Sequence, residues 1–144
     1  MSFQFRNGIS PALARQAARI RDRRPVLEAM GLEFVSLSKR AFSDSSLRPS
    51  TWAPKRDGRP ATLRKSGALF HSIRIVEVTN NSVTAGSDRA YAAIHQLGGR
   101  IVRGNATINM PARPFFPILG GKLTAAAQRR IEAVGRAKIE SLLR

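Results

Sequence analysis

The chain has 144 residues, 42% of them hydrophobic, and sets 25 Lys and Arg against nine Asp and Glu for a formal net charge of +16. That length and apolar content fit one globular domain and exclude a wholly disordered chain. The absence of cysteine excludes disulfides, thiolate metal sites and cysteine nucleophiles. The charge attracts polyanions, but arginine binds carboxylates as readily as phosphates, so charge alone does not choose between nucleic acid and an acidic protein surface.

In chain order, MSFQFRNGIS lacks the apolar core of a signal peptide, and no apolar run reaches the ~18 residues of a membrane span. Cytoplasmic synthesis without export, and no membrane partner, are expected. Ser10-Pro11 reads as a helix start, with a side-chain cap followed by proline in the first turn. Leu13, Ala17, Ile20, Leu27, Met30, Phe34, Leu37 and Ala41 recur at helical spacing, and Pro25 interrupts them. Two helices, or one kinked helix, are expected within a helical part over 10–43. Residues 44–62 are rich in Ser, Pro, Arg and Lys and read as a mobile basic loop.

Residues 63–70 suggest a short helix, 72–79 a strand, and 82–86 its returning partner. Asn80-Asn81 between the strands suits a tight turn at positive φ. A second short helix over 90–97 would stop at Gly98-Gly99. A hairpin over 101–109 would turn at Gly104-Asn105, and the prolines of 110–117 exclude a central strand there. Residues 122–143 predict a long helix lined by Leu123, Ala127, Ile131, Val134, Ile139 and Leu142. The expected fold class is α+β, one domain over 1–144, with a strand and short-helix region at 63–120 and the last helix at 121–144.

The chemistry-bearing residues are few. His71 and His95 raise a ribonuclease reading, with one as general acid and the other as base, but no third group orients them. Lys65 beside Ser66 raises a Ser-Lys nucleophile, yet adjacent helical residues do not face each other, so a capping role fits Ser66 better. No phosphate-loop pattern accompanies Gly98-Gly99. Enzyme activity, a cofactor and a small-molecule substrate are therefore not expected.

The remaining features point to contact surfaces. Arg19, Arg21, Arg23 and Arg24 form a dense basic cluster, and Arg48, Lys55, Arg56, Arg59, Arg64 and Lys65 extend it. Trp52 in that loop is a packing anchor or an interface anchor. Gly67 allows a close backbone approach. Tyr91 offers a ring with a hydroxyl, and His95 with Gln96 would lock the Gly98-Gly99 turn. Pro111 and Pro114 stiffen an extended segment, which would hold Arg113 outward for a carboxylate or phosphate. Phe115 and Phe116 would plug the core or a neighbouring subunit. The interface candidates are thus Trp52, Arg56, Arg59, Arg113, Phe115 and Phe116.

Taken together, LRKSGALFHSI with Leu63, Ser66, Gly67, Leu69, Ser72 and Ile73, then YAAIHQLGG at 91–99, then MPARPF at 110–115, resemble the phage virion morphogenesis family in their order. The resemblance runs from Trp52 onward. Phe116-Pro117-Ile118-Leu119 and a basic last helix stand where the family often has Leu-Gly and acidic residues. The resemblance implies a structural tail-completion or head–tail joining protein of the phage neck. It further implies a ring, hexameric, of identical subunits that meets tail and neck proteins, with a passing contact to genomic DNA. A basic nucleic-acid-binding module is the alternative.

Overall fold

The structure is a computed structural model that describes residues 1–6 and 10–144. It is α+β. Helix α2 (Arg24–Arg40) lies at the centre, with a three-stranded sheet on one side and the long C-terminal helix α5 (Ala125–Leu143) on the other. Helix α1 (Pro11–Ala17) also packs on α5. Ser10 Oγ accepts from Leu13 N at 3.3 Å and Pro11 occupies the first turn, as that dipeptide predicts. Pro25 lies in the first turn of α2, where it removes no helical hydrogen bond, so it opens the second helix and does not kink a single one.

Two glycines set how closely α2 is approached. A Cβ on Gly31 would lie 2.7 Å from Val83 Cγ2, so the sheet packs directly on the helix backbone there. A Cβ on Gly135 would lie 2.9 Å from Met30 Sδ, bringing α5 equally near.

The sheet has the order β1-β3-β2, all antiparallel, from β1 (Ser2–Arg6), β2 (Arg74–Val78) and β3 (Ser82–Gly86). Strand β1 is absent from the sequence expectation. Its alternation puts Phe3 opposite Ala85 and Phe5 opposite Val83, on the face that meets Phe34. Phe34 is fully buried and stacks on Phe3 at 5.7 Å and on Phe116 at 5.6 Å, so one ring joins sheet, helix and the proline-rich segment.

The β2–β3 turn falls at Asn80-Asn81, but neither residue takes the expected positive φ. Thr79 closes the turn instead: its Oγ1 accepts from Asn81 N at 3.1 Å and Ser82 N at 3.0 Å. The Asn80 amide oxygen is used elsewhere, accepting from Arg23 N at 2.6 Å. A register shift between Ile75 and Glu77 leaves Val76 exposed on β2.

Helix α3 spans Ala68–Ser72, later than the expected 63–70. Leu63 has φ 55 and Gly67 φ 76, and neither conformation continues a right-handed helix. Helix α4 (Ala92–Leu97) ends at Gly98 with φ 71. Strands β4 (Gly99–Arg103) and β5 (Ala106–Met110) form the expected hairpin around Gly104-Asn105, exposed along much of its length. A short hairpin of β6 (Ile118–Leu119) and β7 (Lys122–Leu123) then delays the last helix to Ala125, with Thr124 as its cap. Ala127, Ile131 and Ile139 are buried as expected, but Leu142 is 43% exposed near the helix end.

Candidate functional site

The motifs that stand apart in the sequence meet in space. Gln96 on α4 is 3% exposed and grips the strap over 110–117 through backbone groups alone. Its Oε1 accepts from Phe115 N at 3.0 Å and Phe116 N at 2.9 Å. Its Nε2 donates to Phe116 O at 3.2 Å and Ile118 O at 3.4 Å. A strap with prolines has no strand partner for its polar backbone, and a buried amide, with an acceptor and two donors, supplies one. Arg113 N donates to His95 O at 2.7 Å, which fixes the same strap one residue earlier on α4. Gly98 makes this approach possible, since a Cβ there would sit 2.8 Å from Ala112 N and 2.9 Å from Met110 O. Gln96 therefore locks the strap, not the Gly98-Gly99 turn.

The loop side is tied to the same strap. Trp52 is 7% exposed, and its Nε1 donates to Pro114 O at 2.7 Å. The Arg48 guanidinium lies 3.7 Å from the centre of the Trp52 ring and donates to Ala41 O and Phe42 O at the end of α2. Arg113 is not held outward as the sequence suggested. Its Nε donates to Ala53 O at 2.8 Å and a terminal nitrogen to Pro54 O at 2.9 Å. Phe115 and Phe116 are buried in the chain's own core, in contact with Phe42 and Phe34 respectively. Trp52, Phe115 and Phe116 thus hold the strap to this chain and leave no exposed ring for a neighbour. The basic loop is pinned at Arg48, at Trp52 and by Arg113.

Among the interface candidates, the exposed ones are Arg56 and Arg59. Arg59 pairs with Asp57 at 2.6 Å, and the Lys55–Arg59 turn is closed by Lys55 N on Arg59 O at 2.8 Å. Of the motif residues, Ser66 Oγ accepts from Ala68 N at 3.3 Å, a capping bond. Pro111 is exposed and Pro114 buried. Gly99 has φ 149 and would strike Ile94 if it carried a Cβ.

A pocket of about 420 Å³ opens where loop, α3, α4 and strap converge. Its apolar lining comes from Ala61, Leu63 and Leu69, and its polar lining from Lys55, Thr62, Lys65, Ser66, Tyr91, His95 and Arg113. No carboxylate lines it. His95 packs edge-on to Tyr91 at 5.8 Å, and its Nδ1 is buried without a partner. Burial, then the nearby Arg113 charge, push the His95 pKa below its usual 6.5. Lys55, expected only as part of the basic loop, and Lys65, expected there and beside Ser66, both line this opening.

The two histidines do not form a catalytic pair. His95 lines this pocket, whereas His71 lines a separate one with Ser72, Arg74, Asp88 and Arg89. Lys65 and Ser66 share the first pocket with no base oriented on the hydroxyl, which is spent on the Ala68 amide. Among the described residues, no group of three or more His, Cys, Asp or Glu is placed to hold a metal ion. Nor is any helix among them long and apolar enough to cross a membrane.

Over residues 6–140 the chain matches the phage virion morphogenesis family. It is also similar to a curated protein, Mu-like prophage FluMu G protein 2 of Haemophilus influenzae, with 33% identity over 108 residues covering 75% of each chain. No solved structure matches. The matched region takes in α1 and α2, which lie outside the three motifs.

Proposed function

The chain belongs to the phage virion morphogenesis family, and from that premise we propose that it is a tail-completion or head–tail joining subunit of the neck. The coarser statement follows from the family itself: this is a phage morphogenesis protein with a structural role, associated with the virion. The finer reading is supported by the convergence of YAAIHQLGG, MPARPF and the Trp52 loop through Gln96, Trp52 and Arg113. Those side chains spend most of their polar groups on backbone, which builds a rigid scaffold. Copies would associate as a ring, hexameric, at the end of the tail, and its basic surface would meet acidic neck or tail proteins. The wide excess of cations over acids supplies the attraction, and among the described residues only Arg24, Arg59, Arg74, Arg89 and Arg136 pair with an acid.

The test is deletion of the gene from its prophage followed by induction. Filled heads and finished tails accumulating unjoined, with joining restored by the supplied gene, is the expected outcome. Infectious, joined particles from the deletion strain would overturn the reading. Mass measurement and electron microscopy of the purified protein test the ring. A nucleic-acid module would instead bind duplex DNA tightly with a steep salt slope.

A further inference from the structure

We propose that the 420 Å³ pocket between the basic loop and α4 receives an acidic peptide segment of a neighbouring virion protein, seating an apolar side chain on its floor and a carboxylate at its rim. The choice of a virion protein as source rests on the assembly reading above; the chemistry of the pocket stands on its own residues.

Three observations carry the inference. Lys55, Lys65 and Arg113 bring three cations to one opening lined by no acid, and neither lysine ammonium makes a close ion pair or hydrogen bond, Lys55 having only the more distant charge of Asp57 near it. Arg113 is fixed by its bonds to Ala53 O and Pro54 O, which leaves its other terminal nitrogen without a partner on a guanidinium already held in place. A pre-positioned fork loses little entropy when a carboxylate arrives. Finally, the pocket is concave with Ala61, Leu63 and Leu69 in its lining, and the backbone at Leu63 is held at φ 55, a conformation a leucine rarely adopts.

Peptide fits this better than nucleic acid. A duplex presents a convex rod with one charge per ~1.7 Å of axis, which matches an extended basic face and finds nothing to cover an apolar floor. A segment with Leu or Val beside Asp or Glu satisfies both parts. The Tyr91 hydroxyl, which has no partner in the chain, stands at the same site as a further donor. The buried, unpartnered Nδ1 of His95 is a second polar atom that a ligand or its water would satisfy.

The experiment is an amide-resolved NMR titration of the full chain with the capped peptide Ac-Gly-Leu-Glu-Leu-Asp-Gly-amide. Its controls are the same peptide with Gln and Asn for the acids, and a short mixed-sequence duplex DNA. The acidic peptide is expected to shift the amides of Leu63, Leu69, Tyr91 and His95, and the uncharged peptide to bind about tenfold more weakly or worse. Lys55→Glu with Lys65→Glu should abolish the shifts. Arg100→Glu with Arg103→Glu, the same charge change on exposed β4, should leave affinity within about twofold. The proposal is overturned if the uncharged peptide binds equally, if both charge reversals act alike, or if duplex DNA moves the pocket amides at lower concentration than the peptide. None of these readouts involves head–tail joining, so their failure leaves the assembly reading standing, and unimpaired phage from the deletion strain would not touch the binding result.

Discussion

Gln96 and Phe116 are bonded in both directions: the side-chain oxygen of Gln96 accepts from Phe116 N at 2.9 Å while its nitrogen donates to Phe116 O at 3.2 Å. One side chain here does the work of a missing strand. Gln96→Ala would leave the amides of Phe115 and Phe116 buried without their acceptor, while Phe116 O keeps the Ile118 amide at 2.7 Å. An unsatisfied buried group costs ~1–3 kcal/mol, so a loss of about 2 kcal/mol or more is expected. Gln96→Glu keeps the acceptor but not the donor, and should fall between. Urea unfolding of both variants measures this, and a loss below about 1 kcal/mol for Gln96→Ala would contradict the clamp.

Trp52 is the chain's one tryptophan, so its emission reports the strap directly. Buried beneath Arg48 and bonded to Pro114 O, it should emit to the blue of a solvated indole and shift red on unfolding. Arg48→Ala removes the stacked guanidinium and two bonds to Ala41 O and Phe42 O, just past the end of α2. A loss of about 1–3 kcal/mol is expected, with altered native emission. Arg48→Lys should recover little, because a single ammonium cannot reproduce the planar fork. Native emission already at the solvated position would show the loop detached from the strap.

How much of this was legible in the sequence follows from the range of each interaction. Local signals worked: Ser10-Pro11 capped a helix, Gly98 ended one, and Gly104-Asn105 turned a hairpin, because each acts on its own neighbours. The motif order also pointed to the family. Strand β1 was missed because Phe3 and Phe5 alternate too briefly to signal a strand, and its partner β3 lies far along the chain. Arg113 was misplaced because proline neighbours suggested an outward side chain, while the carbonyls that turn it back belong to Ala53 and Pro54. The turn at Asn80-Asn81 forms without the expected positive φ, and the Asn80 oxygen reaches the Arg23 amide, far away in sequence. Periodicity does not carry bonds of that kind.

The His95 environment makes stability depend on pH. Burial and then Arg113 lower its folded pKa below 6.5, so the unfolded chain binds the proton more readily. This contribution is fully present above the unfolded value and is lost as pH falls through the folded one. Asp22, Asp44 and Asp57 are held below the usual 3.8 by hydrogen bonds from Arg24, Ser46 and Arg59, and titrate lower still. Denaturation midpoints should therefore fall from neutral pH toward ~5, and His95→Gln should flatten that slope. Equal slopes for the two proteins would remove His95 as the cause.

Gly31 and Gly135 give a paired test of how α2 is packed. Alanine in a helix interior is favoured over glycine by ~1 kcal/mol, so either substitution gains that much before packing is considered. At Gly31 the new methyl would lie 2.7 Å from Val83 Cγ2 and 3.1 Å from Ile75 Cδ1. Val83 is fully buried and β-branched, held between two paired strands, and has nowhere to move. Overpacking of that kind costs ~1–3 kcal/mol, so Gly31→Ala should be destabilising on balance. At Gly135 the near atoms are Met30 Sδ at 2.9 Å and Cγ at 3.2 Å, the end of an unbranched side chain that can change rotamer. Gly135→Ala should therefore stay within about 1 kcal/mol of the parent. Thermal unfolding of the two variants decides the matter: if Gly31→Ala is as stable as Gly135→Ala, the sheet does not rest on the α2 backbone as closely as the structure places it.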